Sequence, residues 1–229
     1  MKNFLLSLKF IIKRVFRLTA ANIAWLIVTA LIVAIGTAAM GVEPVARGDY
    51  DYQSYLMMLP YWLVFLSFGL SSMYLDVYAS VYIRTSGLYK CLRTRAVQVF
   101  ILLFDVVTLI PAVIVTAVVN PAALPDFLLI SAIIIGVSLP LASTYFLMWI
   151  VLFGYSIFNL ISGFFGDHFM VKGFKFLPTE LSDSLPVATL LAVVILLAGL
   201  IVSFIVSDII FRIRKRPRDR QMPKGAMQA

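Results

Sequence analysis

"SGLYKCLRTRAVQVF", residues 86–100, decides in which direction the neighbouring helices run. Lys90, Arg93 and Arg95 fall within a few positions of one another here, and long apolar runs lie on both sides of them. In membrane proteins, short segments rich in Lys and Arg stay on the cytoplasmic side. We therefore expect residues 84–95 to form a cytoplasmic connection between two membrane spans.

The composition of the whole chain agrees with this interpretation. It is 62% hydrophobic with only 13% charged residues, and its mean hydropathy is +1.01, whereas soluble domains carry about 25% charged residues. The net charge of +8 is confined to short segments between apolar runs. That distribution is typical of membrane topology and not of a nucleic-acid-binding face. The sequence predicts an all-α integral multi-pass protein of the bacterial cell membrane.

The number of spans follows from charge parity. Residues 1–17 hold five bases and no acid, and residues 212–224 hold seven bases and one acid, so both termini are expected in the cytoplasm. An even number of crossings is then required, and the charge-free run 127–165 must cross twice, with a turn near Pro140. The six predicted spans are 18–40, 57–83, 96–119, 127–142, 144–165 and 186–211.

The two ends of the chain have different predicted roles. Residues 1–17 alternate bases with apolar residues at helical spacing, which is typical of an amphipathic helix in the membrane interface. Residues 212–229 are expected to form a basic cytoplasmic tail. Residues 18–211 between them form the predicted transmembrane domain.

Asp105 is the candidate functional residue at membrane depth. It lies about 14 Å into the third predicted span at 1.5 Å per residue, close to the midplane. An intramembrane acid needs a partner, water or a proton, and it is the usual place to look for function. Both a structural hydrogen bond and a transport role stay open. Asp208 is nearer the inner end of its span and is expected to pair with Arg212.

No motif in the sequence indicates an enzyme. The single cysteine, Cys91, and the single histidine, His168, exclude an intrachain disulfide and a bis-histidine haem. The chain has no G-x-S-x-G, H-E-x-x-H or G-x-x-x-x-G-K-[ST] stretch, so the serine hydrolases, zinc proteases and P-loop ATPases that carry these motifs are excluded. We expect no catalytic residue, metal site or cofactor in this chain.

The order of these features resembles the membrane permease subunit of a type-2 ABC exporter. The shared features are an interfacial N-terminal helix, six spans, a compact basic loop between spans two and three, and a semi-apolar outer segment at 164–186. The resemblance implies that two permeases, identical or homologous, enclose a path for an amphipathic peptide or lipid-like cargo. It also implies that separate cytoplasmic ATPase subunits bind the ATP.

The resemblance also assigns a role to the basic stretch, as an element that couples the ATPase to the spans. On this basis an ATPase-docking loop is predicted, with Tyr89 and Leu92 as apolar anchors inside a rim of Lys90, Arg93 and Arg95. Two alternatives stay open. One is a six-span substrate-binding or accessory subunit of another transport complex. The other is a structural membrane protein that organises lipids or a partner.

Overall fold

A computed structural model describes residues 2–17, 19–42, 52–72, 88–143 and 184–218. All regular secondary structure within these residues is helical. The helices are α1 (Lys2–Val15), α2 (Ala20–Val42), α3 (Tyr52–Ser72), α4 (Leu88–Cys91), a π-helical turn (Leu92–Ala96), α5 (Val97–Val119), a 3-10 turn (Pro121–Ala123), α6 (Leu124–Ser143) and α7 (Leu185–Arg218).

Four stretches of helix within the described residues are long and apolar enough to cross a membrane. They are Ala20–Val42, Leu88–Val119, Pro121–Leu141 and Leu185–Ile213, and α3 adds a shorter apolar stretch at Leu56–Ser67. An α-helix satisfies its own backbone hydrogen bonds, which is what a segment in lipid requires. Several such helices, with regular structure that is entirely helical in the described residues, are compatible with an integral membrane protein.

The described helices coincide in part with the six predicted spans. The α2 and α6 helices lie within a few residues of the predicted spans at 18–40 and 127–142. The predicted span 57–83 corresponds to α3 as far as Ser72, and its remainder lies outside the described residues. The predicted span 144–165 also lies outside them.

Two helices extend through segments that the sequence assigns to connections. The helix that contains the third predicted span begins at Leu88 instead of 96, and α7 continues to Arg218 instead of stopping at 211. Lys, Arg and Leu are good helix formers, and residues 88–95 contain neither Gly nor Pro. Charge indicates which residues stay out of a membrane, but it does not end a helix.

The α3 helix lies at the centre of the bundle and packs against α2, α5 and α6. The α2 helix runs antiparallel to α3, because Trp25 lies against Gly69 while Gly36 lies against Leu59. A Cβ at Gly36 would lie 2.7 Å from Leu59 Cδ1, so a larger residue there would require the Leu59 side chain to move. The shared core is apolar and includes Leu56, Leu59, Leu63, Leu66, Phe127, Ile130 and Ile135.

The bundle has two distinct ends. The α1 helix, the start of α4 and the last turns of α7 lie at one end, which we call the α1 end. The α2 and α5 helices run parallel and finish together at the opposite end, the far end, where Thr116 Oγ1 lies 3.7 Å from Met40 Sδ. This arrangement leaves one face of α2 and most of α7 exposed and apolar.

The closest helix contact joins α6 and α7. Gly136 lies against Gly199, where a Cβ on Gly199 would overlap the Gly136 backbone. One turn further on, Ser203 Oγ donates a hydrogen bond of 3.0 Å to the Leu139 carbonyl oxygen. Small residues allow this kind of approach between membrane helices. Both contacts advance in the same direction along the two helices, so α6 and α7 run parallel.

Residues 1–17, which are predicted to form an amphipathic helix, are helical from Lys2 to Val15. Side-chain hydrogen bonds from α2 hold the corner between the two helices. Asn22 Nδ2 donates hydrogen bonds to the carbonyl oxygens of Arg14, at 2.8 Å, and Arg17, at 3.0 Å. These carbonyls lie at the C-terminal end of α1, where helices leave acceptors unsatisfied. Asn22 therefore fixes the corner between α1 and α2.

Candidate functional site

The predicted docking residues lie at the α1 end, beside the last turns of α7. The Tyr89 and Phe211 rings have centroids 5.7 Å apart. Lys90 Nζ lies 3.7 Å from Asp208 Oδ1, and its side chain remains 54% exposed. The continuous helix Leu88–Val119, which comprises α4, the π-helical turn and α5, is called the long helix below. Together these contacts join its first turn to α7.

A buried hydrogen bond adds to the same junction. Gln98 Nε2 donates to Ser207 Oγ at 2.7 Å, and both side chains are almost fully buried. Two polar side chains in an apolar interior stabilise helix packing when they form a hydrogen bond with each other and neither faces lipid. No pattern in the sequence predicts this pair, although Gln98 is a polar residue at the start of an apolar run.

Leu92 lies on the other side of the helix, against α1. It is 3% exposed and packs with Ile11 and Val15 in a small apolar cluster that also contains Ala96 and Phe100. Leu92 therefore contributes to the interior of this chain and does not present an anchor at its surface. The bases of the predicted rim are placed differently, because Lys90 and Arg95 are exposed. The side chain of Arg93 lies outside the described part of the chain.

The structure replaces the expected partner of Asp208. The sequence suggests Arg212, one turn later in the same helix, but the structure pairs Asp208 with Lys90 from the neighbouring helix. Arg212 is exposed. The pairing depends on the packing of α4 against α7, and a one-dimensional pattern does not contain that information.

A π-helical turn, Leu92–Ala96, lies in the middle of this junction. It contains two of the predicted rim residues, Arg93 and Arg95. It also contains Thr94, whose Oγ1 donates to the Lys90 carbonyl oxygen at 2.8 Å. Single π turns within α-helices occur frequently at functional sites. Residues on both sides of this turn contact α7, Tyr89 and Lys90 before it and Gln98 after it.

Asp105 lies deep in the bundle, at the middle of the buried stripe of α5. The stripe consists of Gln98, Ile101, Asp105, Leu109, Ala112 and Thr116. Asp105 is completely buried, so its side chain faces the interior of the bundle. Ser67 Oγ of α3 lies 3.3 Å from Asp105 Oδ2, whereas Oδ1 is buried with no hydrogen-bond partner among the described residues.

Within the described residues, no group of three or more His, Cys, Asp or Glu side chains could hold a metal ion. The site consists instead of a polar junction at the α1 end and one buried carboxyl group in the same long helix. No family model matches the chain, and no curated protein or solved structure matches it.

Proposed function

We propose that this chain is the membrane permease subunit of an ATP-driven exporter, forming half of a path whose other half is a second permease. The observation that carries the proposal is the unbroken helix Leu88–Val119. Its first turns are held between α1 and α7 at the α1 end, and its continuation holds Asp105 inside the bundle. A force applied to the exposed bases at its start would therefore reach several spans.

The proposed topology has six spans, with both termini and the α1 end in the cytoplasm. The exposed described bases lie at this end, on α1, on the first turns of the long helix and at Arg212, as the positive-inside rule requires. The parallel packing of α6 and α7 supports an odd number of crossings between them. The predicted fifth span would supply one.

The exposed apolar faces of α2 and α7 suit lipid and the second permease. Leu31 and Ile35 on α2, and Leu197 and Ile201 on α7, are more than half exposed. Exposed apolar surface of this extent marks a membrane or protein contact. The cargo would be an amphipathic peptide or a lipid-like molecule, in keeping with walls this apolar.

The proposed topology can be tested by labelling single cysteines from outside the cell. In a Cys91→Ser background, Ala122→Cys at the far end should react with a membrane-impermeant maleimide, because Ala122 is exposed between α5 and α6. Lys13→Cys on α1 should react only after the membrane is permeabilised. Reaction of Lys13→Cys in intact cells would contradict a cytoplasmic α1 end.

The proposed coupling to an ATPase can be tested at Arg95. Arg95→Glu reverses an exposed charge without removing any packing, and reversal of a rim charge opposes association. We expect recovery of vanadate-sensitive ATP hydrolysis with the tagged permease, after mild detergent extraction from its native membrane, to fall about tenfold, the equivalent of about 1.4 kcal/mol.

Arg212→Glu is the matched control, because it makes the same change at an exposed base on α7. It should leave the recovered ATP hydrolysis near the wild-type level. An equal loss in both variants would mean that total charge matters and that Arg95 is no specific contact. Full recovery with Arg95→Glu would contradict the docking role of this segment.

A further inference from the structure

The surroundings of Asp105 contain no described positive charge. The described parts of α2, α3, α6 and α5 itself hold no Lys, Arg or His. The described bases of α1 and α7, which also pack against α5, lie at the α1 end. The nearest described base along its own helix is Arg95, about 15 Å away at 1.5 Å per residue. The other acid in these helices, Asp126, lies at the far end, at the start of α6. A carboxylate buried without a counter-charge is very costly.

The hydrogen-bond geometry at Ser67 gives independent information. Ser67 Oγ lies 3.1 Å from the Val64 carbonyl oxygen and 3.3 Å from Asp105 Oδ2. A serine hydroxyl has one hydrogen to donate, and it also has two lone pairs that can accept. If Asp105 were a carboxylate, one Ser67 hydrogen would have to serve two acceptors.

A protonated Asp105 satisfies both distances. Its O–H then donates to Ser67 Oγ, and the Ser67 hydroxyl donates to the Val64 carbonyl oxygen. The remaining carboxyl oxygen, Oδ1, is then the carbonyl oxygen of a neutral acid. Leaving a neutral acceptor unpaired costs less free energy than leaving a charged one unpaired.

We propose that Asp105 is a proton-binding site and that its O–H, donated to Ser67, is a proton-dependent link between α3 and α5. The ligand of this site is the proton itself. The link lies on the helix that carries the α1-end junction, so gain or loss of the proton changes how that helix is held in the bundle. This inference does not depend on the exporter function.

Infrared spectroscopy of the full chain in an ester-free detergent, which has no carbonyl band of its own, tests the proposal directly. A protonated carboxyl group in an apolar site gives a carbonyl-stretch band that is separate from the amide bands and shifts in D2O. We expect the wild-type protein to show this band at neutral pH and Asp105→Asn to lose it. Asp126→Asn is the matched control and should retain the Asp105 band.

A second variant examines the link and does not require a change at Asp105. Ser67→Ala removes the acceptor of the Asp105 proton, so the band should remain and move to higher frequency, as expected for a carboxyl group that has lost a hydrogen bond. Absence of the band from the wild type, or its persistence in Asp105→Asn, would overturn the proton-binding site. A band unmoved in Ser67→Ala would overturn the link.

Discussion

Leu92→Ala is expected to destabilise the chain by about 2–5 kcal/mol, the usual cost of removing a buried leucine side chain. Leu92 is 3% exposed and joins the long helix to Ile11 and Val15 of α1. The truncation leaves a cavity between the two helices. We expect a lower midpoint of thermal unfolding in detergent, together with loosening of α1.

Labelling at Ser7 measures that loosening. Ser7 is completely buried on α1, so a Ser7→Cys thiol in a Cys91→Ser background should react slowly and should react faster once Leu92→Ala is added. Leu103→Ala is the matched control, because Leu103 lies on α5 and is 49% exposed. Equal stability of the Leu92 and Leu103 variants would show that α1 does not depend on this contact.

Gly199→Ala is expected to separate α6 from α7. The new Cβ would overlap the carbonyl oxygen and Cα of Gly136, and backbone atoms cannot rotate away as a side chain can. Overpacking of this kind costs about 1–3 kcal/mol, and the better helix propensity of alanine returns at most about 1 kcal/mol. The net effect should be a lower midpoint of thermal unfolding.

Disulfide formation reports the separation of these two helices. Leu139→Cys and Ser203→Cys, in a Cys91→Ser background, should cross-link under oxidation and should do so less efficiently when Gly199→Ala is present. Gly41→Ala is the control substitution, since its Cβ would meet Val115 Cγ1 at an ordinary 3.4 Å. Unchanged cross-linking and stability in Gly199→Ala would mean that α6 and α7 tolerate a wider spacing.

The sequence predicts the helical class and the places of most described helices well, because both depend on local composition. An apolar run of about 20 residues is readable without knowledge of its neighbours. The interior position of Asp105 is predictable for the same reason, since a charge that faces lipid is too costly. The roles of the docking residues and the count of six spans stay predictions.

The partners of individual side chains could not be read from the sequence. The docking prediction places Leu92 at a surface, whereas the structure places it in a core, because α1 packs against it. Asp208 pairs with Lys90 across two helices that are far apart in the chain. Such contacts depend on which helices become neighbours and on their rotation, and hydropathy specifies neither.

The π turn at Leu92–Ala96 also sets the angular phase of the long helix. Each residue of an α-helix advances the side-chain direction by about 100°, and a wider turn interrupts that progression. A helical wheel drawn through the whole helix therefore misplaces one half relative to the other. Tyr89 lies against Phe211 before the turn, and Asp105 lies against Ser67 after it. A change in the width of this single turn would rotate α4, which contacts α7 through Tyr89, relative to α5, which holds Asp105.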